Sequence, residues 1–258
     1  MLLDILALAA HRDDVEQTCG GTLLKMAERG YRTGILDLTQ GEMGTRGTAE
    51  DRASEAAEAA RILKVSWRLA LDLPDGRVEN TWETRLKIAR VLREQRPRVL
   101  VLPYWEGRHP DHYTASGLGY EAAFLAGLAK LAVSHHPSAV GQHVGTADIP
   151  NEGAGATLPH RPFKIIYASL YRDVRPTFVV DITEQFEARF ESLMAYKSQF
   201  TDQQAGSAIF PAQADIRARV ESMARFYGMQ AGVTYAEPFV QKEMGLFDDL
   251  LAIPVKSI

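Results

Sequence analysis

Short apolar runs without charge alternate along this chain with stretches in which apolar residues recur at helical spacing. Ile5-Leu6-Ala7-Leu8-Ala9 reads as a buried first strand, and Thr22-Leu23-Leu24-Lys25-Met26-Ala27, after Gly20-Gly21, as a helix returning along the sheet. Gly30 closes that helix, and residues 31–38 alternate and then thicken into a second strand. The same reading predicts a helix over 50–63, a strand over 67–73 ending in the turn Pro74-Asp75-Gly76, and a helix over 82–95 stopped ahead of Pro97. A fourth strand follows at Val99-Leu100-Val101-Leu102-Pro103, then a long Ala- and Leu-rich helix from 111 to about 133. Strands over 164–170 and 177–182, helices over 184–197 and 213–227, and a tail at 235–239 that folds back near the site complete the pattern. Strands and helices in alternation point to an α/β fold in one domain spanning 1–258.

Two stretches interrupt the pattern. Gly41, Gly44 and Gly47, interleaved with Thr39, Thr45 and Thr48, make a loop whose backbone can approach a ligand, with Glu42 and Arg46 placed to reach sugar hydroxyls. Neither the Walker spacing nor G-x-G-x-x-G is present, which argues against a phosphate-cradling loop. Residues at about 134–162 carry His135, His136, His143 and His160 among Gly, Pro, Asn and Ser, and read as an irregular loop, mobile or contacting another subunit. Irregular spacing without carboxylate or Cys partners argues against a further metal site, so these are read as surface histidines.

Composition narrows the classes. With 258 residues, 46% hydrophobic and 24% charged, the chain suits one large domain. A formal net charge of −4 with no block of Lys and Arg gives no reason to expect nucleic acid. No apolar stretch reaches the roughly 20 residues of a membrane-crossing helix. The single Cys19 cannot form an internal disulfide, and beside Gly20 it reads as a small packing residue rather than a metal ligand. The chain opens on a strand without a signal-type segment, so a cytoplasmic location is expected.

The candidate chemistry sits at two strand ends. His11-Arg12-Asp13-Asp14 follows the first strand, and carboxyl edges of open α/β sheets are where ligands collect. These residues alone fit a metal site with a spare base, or a solvated turn with a helix N-cap. A second cluster, Arg108-His109-Pro110-Asp111-His112, follows the fourth strand. If the two strands are neighbours in a parallel sheet, His11, Asp14 and His112 form a two-His, one-carboxylate set with open coordination positions.

His-x-Asp-Asp-x-Glu near the N-terminus, paired with His-Pro-Asp-His, resembles the LmbE-like, or PIG-L, family of zinc-dependent N-acetylglucosaminyl deacetylases. Asp37–Thr48, Leu73-Pro74-Asp75-Gly76, Pro176–Thr183, Tyr196-Lys197-Ser198-Gln199-Phe200 and Tyr235-Ala236-Glu237-Pro238-Phe239 are similar to its bacillithiol-biosynthesis subgroup, which acts on N-acetylglucosaminyl malate. The resemblance implies a Rossmann-like, mostly parallel sheet with helices on both faces. It also implies Zn2+, or another divalent transition metal, and a homo-oligomer, trimer or hexamer. It further places Arg52 on the sugar and Tyr196 near the active-site mouth; without it, Arg52 reads as a solvent-facing partner of Glu55 or Glu58, and Tyr196 as a helix-surface aromatic. Position 12 departs from the family, carrying Arg where Pro or a small residue is usual.

Hydrolysis of an amide needs a nucleophile, a polarised carbonyl and a proton for the leaving amine. A metal held by His11, Asp14 and His112 would meet the first two needs, and Asp13, adjacent to a ligand, is the natural general base. If Asp111 accepts a hydrogen bond from His109, the imidazolium form is favoured and can stabilise an oxyanion or protonate the amine. Glu16 reads as capping or pairing in the following helix. Arg12 has two candidate partners, Asp13 or Asp14 on the protein or an anionic group of a small glycoside substrate. The rival readings are a deacetylase of another N-acetylglucosamine compound, a metal-dependent phosphoesterase, for which these motifs supply few carboxylates, and a non-enzymatic carbohydrate- or nucleotide-binding module.

Overall fold

The chain is organised on β1 (Ile5–Ala9), which pairs in parallel with β2 (Thr33–Asp37) on one side and β4 (Val99–Pro103) on the other. The computed structural model describes residues 3–133, 157–169, 173–200 and 213–255. Alternate residues of β1 feed two separate cores. Leu6 and Leu8 join Leu36, Leu100 and Leu102 in one layer, and Ala7 and Ala9 join Ile35 and Val101 in the other. Burial on both faces is why the run carries no polar residue. With β3 (Trp67–Ala70), β5 (Lys164–Ala168), β6 (Phe178–Asp181) and β7 (Ala236–Gln241), the seven strands form one sheet of order β3-β2-β1-β4-β5-β7-β6. β1 is therefore where the winding reverses.

Helices α4 (Trp82–Gln95) and α5 (Pro110–Ala126) cover the leucine-rich layer. The other layer takes α2 (Gly20–Glu28), α3 (Ala49–Ile62) and α6 (Phe186–Met194). A Cβ on Gly119 of α5 would lie 2.5 Å from Leu102 Cδ2 and 3.3 Å from Leu8 Cδ1. That close approach seats α5 over β1 and β4, and with it the cluster at its N-terminus.

Several elements differ from the sequence reading, each for a tertiary reason. The first helix is two, α1 (Asp14–Thr18) and α2, because Glu237 on β7 accepts from the Gly21 and Thr22 N–H groups at 2.9 and 2.7 Å and caps α2 afresh. Cys19, between them, is a buried packing residue of the core. α5 stops at Ala126 rather than near 133, its end held by Arg93, which donates to the carbonyls of Ala126, Leu128 and Leu131. The tail at 235–239 enters the sheet as β7, antiparallel to β5 and β6, a strand that Pro238 conceals. The last helices are α7 (Lys197–Phe200) and α8 (Gln213–Gln230). Most of the irregular loop, with His135, His136 and His143, lies outside the described residues. His160 is no surface histidine: it is half-buried with Nε2 2.7 Å from the Pro97 carbonyl. Among the described residues no helix is long and apolar enough to cross a membrane.

Candidate active site

β1 runs out at Ala9 and the chain turns through His11, Arg12 and Asp13 into α1. Asp13 takes φ 107°, ψ −20°, a left-handed conformation costly for any residue but glycine. The turn is pinned from two sides. The His11 N–H donates to Asp14 Oδ2 at 2.9 Å, and Arg52 donates to the Arg12 carbonyl and to Asp13 Oδ1, the latter at 3.2 Å.

Because β1 and β4 are parallel neighbours, the segment after β4 delivers its cluster to the same sheet edge. His112 Nε2 lies 3.2 Å from His11 Nδ1 and 3.2 Å from Asp14 Oδ1, and His11 Nδ1 is 3.6 Å from Asp14 Oδ2. His109 stacks on His112 at a centroid distance of 5.0 Å and meets His11 edge-on at 4.7 Å. Ligand nitrogens of all three rings fall within 4.8 Å of one another. Two imidazole nitrogens and a carboxylate facing one point are the donor chemistry of a divalent transition metal, and these residues fit one. On the far side of the ring, His11 Nε2 is 3.0 Å from Asp75 Oδ1 and 3.4 Å from Asp111 Oδ2, ion-pair distances without hydrogen-bond alignment. Carboxylates behind a ligating imidazole orient it and raise its basicity.

The electrostatics follow from this crowding. Burial works against the His11 imidazolium, but Asp111, Asp14 and Asp75 outweigh it and push its pKa up to about 12. Burial likewise opposes the charged forms of His112 and Asp14; their mutual attraction prevails, raising His112 and holding Asp14 well below the usual carboxylate range. Asp13 is pushed up to about 7 by burial, against the pull of Arg52 and with Asp14 adding to the rise.

The remaining expected residues are distributed differently. Asp111 does not accept from His109. Its carboxylate takes the Gly76 and Val78 N–H groups at 2.8 and 3.2 Å, while its own N–H donates to His109 Nδ1 at 3.2 Å, making His109 the N-cap of α5. Burial and the neighbouring His11 and His112 lower the His109 pKa, so the neutral ring is favoured, contrary to the imidazolium expected. Glu42 accepts from the Asp75 N–H at 2.8 Å and so latches the glycine loop to the 73–76 turn. Arg46 donates to the Gln199 carbonyl at 3.0 Å. Arg12 meets neither Asp13 nor Asp14; its Nη1 donates to the carbonyls of Ala49 at 2.9 Å and Gln40 at 3.5 Å. Arg52 is buried on Asp13 instead of facing solvent, Glu55 being bound to Ser198 and Glu58 to Arg61.

Tyr196 lies neither at the mouth nor on a helix surface. It is buried, and its hydroxyl donates to Glu16 Oε1 at 3.1 Å. Glu16 itself pairs with Arg68 across the sheet at 2.7 Å, and Arg68 also holds Asp37 at 2.8 and 3.0 Å. The signal for this network was an Arg inside the apolar run Trp67-Arg68-Leu69-Ala70 and an Asp ending β2. Asp75, the other residue not foreseen in the site, stood in the sequence within a turn and within a stretch that carries the resemblance, with no role attached to it.

Asp13 also opens on a cavity of about 880 Å³ between α1, β7 and α8, lined in part by Gln17, Thr18, Ser169, Arg189 and Arg219. Asp13 thus stands between the His11, Asp14 and His112 cluster, which does not itself line this cavity, and a space of small-ligand size.

Comparison with known proteins agrees with this geometry. Residues 6–123 match the model of the PIG-L family, described as GlcNAc-PI de-N-acetylase. A solved structure of a conserved protein from Thermus thermophilus superposes with a TM-score of 0.79 and 37% identity, covering 96% of this chain and 98% of that one. The chain belongs to the PIG-L family. Within the family, the diacetylchitobiose deacetylase of Thermococcus kodakarensis is 28% identical over 90% of this chain and 80% of its own length. The 1D-myo-inositol 2-acetamido-2-deoxy-alpha-D-glucopyranoside deacetylase of Kineococcus radiotolerans is 27% identical over 76% of this chain and 69% of its own. His11, Asp13, Asp14 and His112 all fall inside the matched segment.

Proposed function

We propose that this PIG-L chain is a metal-dependent amide hydrolase that removes the acetyl group from an N-acetylglucosaminyl conjugate. The subgroup motifs favour N-acetylglucosaminyl malate, in bacillithiol biosynthesis, as the conjugate. The observation that carries the reading is the convergence of His11 Nδ1, His112 Nε2 and the Asp14 carboxylate beside Asp13, which lines a cavity. His11, Asp14 and His112 would hold zinc or another divalent transition metal, which when bound supplies Lewis acidity and makes water more acidic.

The other residues divide the remaining work. Asp13 lines the cavity and is not needed as a ligand, so it takes the proton of the attacking water and returns it to the leaving amine. His109, neutral and with Nδ1 already accepting from the Asp111 N–H, carries its proton on Nε2 and can donate to the oxygen that becomes negative. Arg52 is a positioning residue that holds Asp13. The subgroup resemblance also supports a homo-oligomer, a trimer or hexamer.

The test is to give the metal-loaded protein N-acetylglucosaminyl malate, free N-acetylglucosamine, diacetylchitobiose and an aryl phosphate, and to measure free amine and phosphate. Amine release, fastest from the malate conjugate, is expected; phosphate release without amine would replace the reading with a phosphoesterase. His11→Ala, Asp14→Ala and His112→Ala should each lose bound metal by atomic emission. Asp13→Asn should keep its metal and lose about a hundredfold or more in turnover.

A further inference from the structure

The cavity beside Asp13 is lined by five charged side chains: Asp13, Arg189, Asp215, Arg219 and Glu237. Three are already committed. Asp13 is held by Arg52. Arg189 lies 3.1 Å from Glu237 and donates to the carbonyls of Glu16 and Gln17, while Glu237 also caps α2. On α8, Arg217 pairs with Glu187 and Glu221, and Arg225 pairs with Glu221. Arg219, between them, is exposed and makes no ion pair or hydrogen bond among the described residues, although it lines the cavity.

The cavity is also larger than the sugar alone requires. Its volume of about 880 Å³ stands near the upper end of the roughly 300–1,000 Å³ typical of small-molecule sites. With the acetamido group at Asp13, this cavity, whose lining includes Gln17, Thr18, Ile216 and Arg219, is the space open to the rest of a glycoside. We infer that this cavity is the aglycone subsite, and that Arg219 on α8 selects an aglycone bearing a carboxylate. The inference rests on the deacetylase reading and assigns its specificity to one residue. A guanidinium with no ion pair or hydrogen bond among the described residues binds a carboxylate by charge-assisted hydrogen bonds without first giving up any pair described there. Asp215, one turn earlier on the same wall, opposes an anion and sets the sign of a second test.

The experiment compares KM and kcat for N-acetylglucosaminyl malate and for the uncharged methyl N-acetylglucosaminide in the metal-loaded wild type, Arg219→Ala, Arg219→Glu and Asp215→Asn. Arg219→Ala should raise KM for the malate conjugate about tenfold, the scale of one partly solvated charge-assisted hydrogen bond, with kcat unchanged. Arg219→Glu should raise it further, Asp215→Asn should lower it, and the methyl glycoside should be indifferent to all three. Equal KM shifts for both substrates, or none for either, overturn the assignment of Arg219 while leaving the deacetylase reading intact. A wild type that releases amine from neither substrate refutes the deacetylase reading and the inference together. Calorimetric titration with glucosaminyl malate, whose binding Arg219→Ala should weaken by a similar factor, checks the contact without turnover.

Discussion

Two buried polar clusters flank α1, and they settle their charge in opposite ways. Asp14 and Glu16 are two positions apart on one helix, so their side chains leave it on different sides. Glu16 enters a cluster with Asp37, Tyr196 and Arg68, whose guanidinium is charged at every accessible pH and bonds both carboxylates. Asp14 enters a cluster with Asp75 and Asp111 whose ion-pair partners among the described residues are the imidazoles of His11 and His112. Protons on imidazole can be given up to a metal, whereas the charge of Arg68 cannot leave. The first cluster is closed and structural; the second is open to exchange.

Breaking the closed cluster should have the larger effect. Arg68→Met leaves Glu16 and Asp37 buried without their cation, and removing one partner of a buried ion pair costs about 3–5 kcal/mol. Urea denaturation of the metal-loaded protein reads this as a lower midpoint. An unchanged midpoint would mean that water reaches the network and that the contrast between the clusters is false.

Asp75→Asn probes the open cluster at the back of His11, where the loss falls on metal rather than on folding. Weakening of metal affinity by about 10–100-fold is expected, the range for a residue that supports a ligand, with the denaturation midpoint of the metal-free protein little changed. Metal retention against a competing chelator measures it, and retention equal to wild type would reduce Asp75 to a loop latch on Met43.

The two clusters also differ in how far the sequence discloses them. His11, Asp14 and His112 stand in two short segments at the ends of two apolar runs, so their meeting needs only that β1 and β4 be parallel neighbours. The closed cluster shows locally only as Arg68 inside an apolar run and Asp37 ending β2; its pairing does not, because Tyr196 meets Glu16 across 180 positions and Arg68 meets it across 52. Glu237, which caps α2 from 216 positions away, was hidden for the same reason, and so was the division of α1 from α2. Strand and helix periods are local and were readable; Pro238 concealed β7 because it weakens the strand signal where its neighbours in the sheet decide. Protein partners expected from sequence neighbours, and one position expected from resemblance, differ in the fold: Asp111 takes the Gly76 and Val78 N–H groups and not His109, Arg12 takes carbonyls and not Asp13 or Asp14, and Tyr196 is buried on Glu16.

Arg12 gives the smallest effect and the sharpest sorting, since it sits in the active-site turn but is bonded in the manner of the closed cluster. Its guanidinium is buried and serves the carbonyls of Ala49, in the first turn of α3, and Gln40, and so ties the turn after β1 to the glycine loop. Burial lowers its pKa, against the attraction of Asp37, with Arg68 and Arg52 adding to the lowering, and both groups it donates to are neutral carbonyls. Arg12→Met should therefore cost about 1–3 kcal/mol of stability, the scale of leaving buried carbonyls without donors. The ratio of kcat/KM for N-acetylglucosaminyl malate to that for the methyl glycoside should not move, because the side chain reaches neither Asp13 nor Asp14. A changed ratio with unchanged stability would return Arg12 to the substrate. A fall in stability with the ratio preserved would show that Arg12 is a brace of the loop.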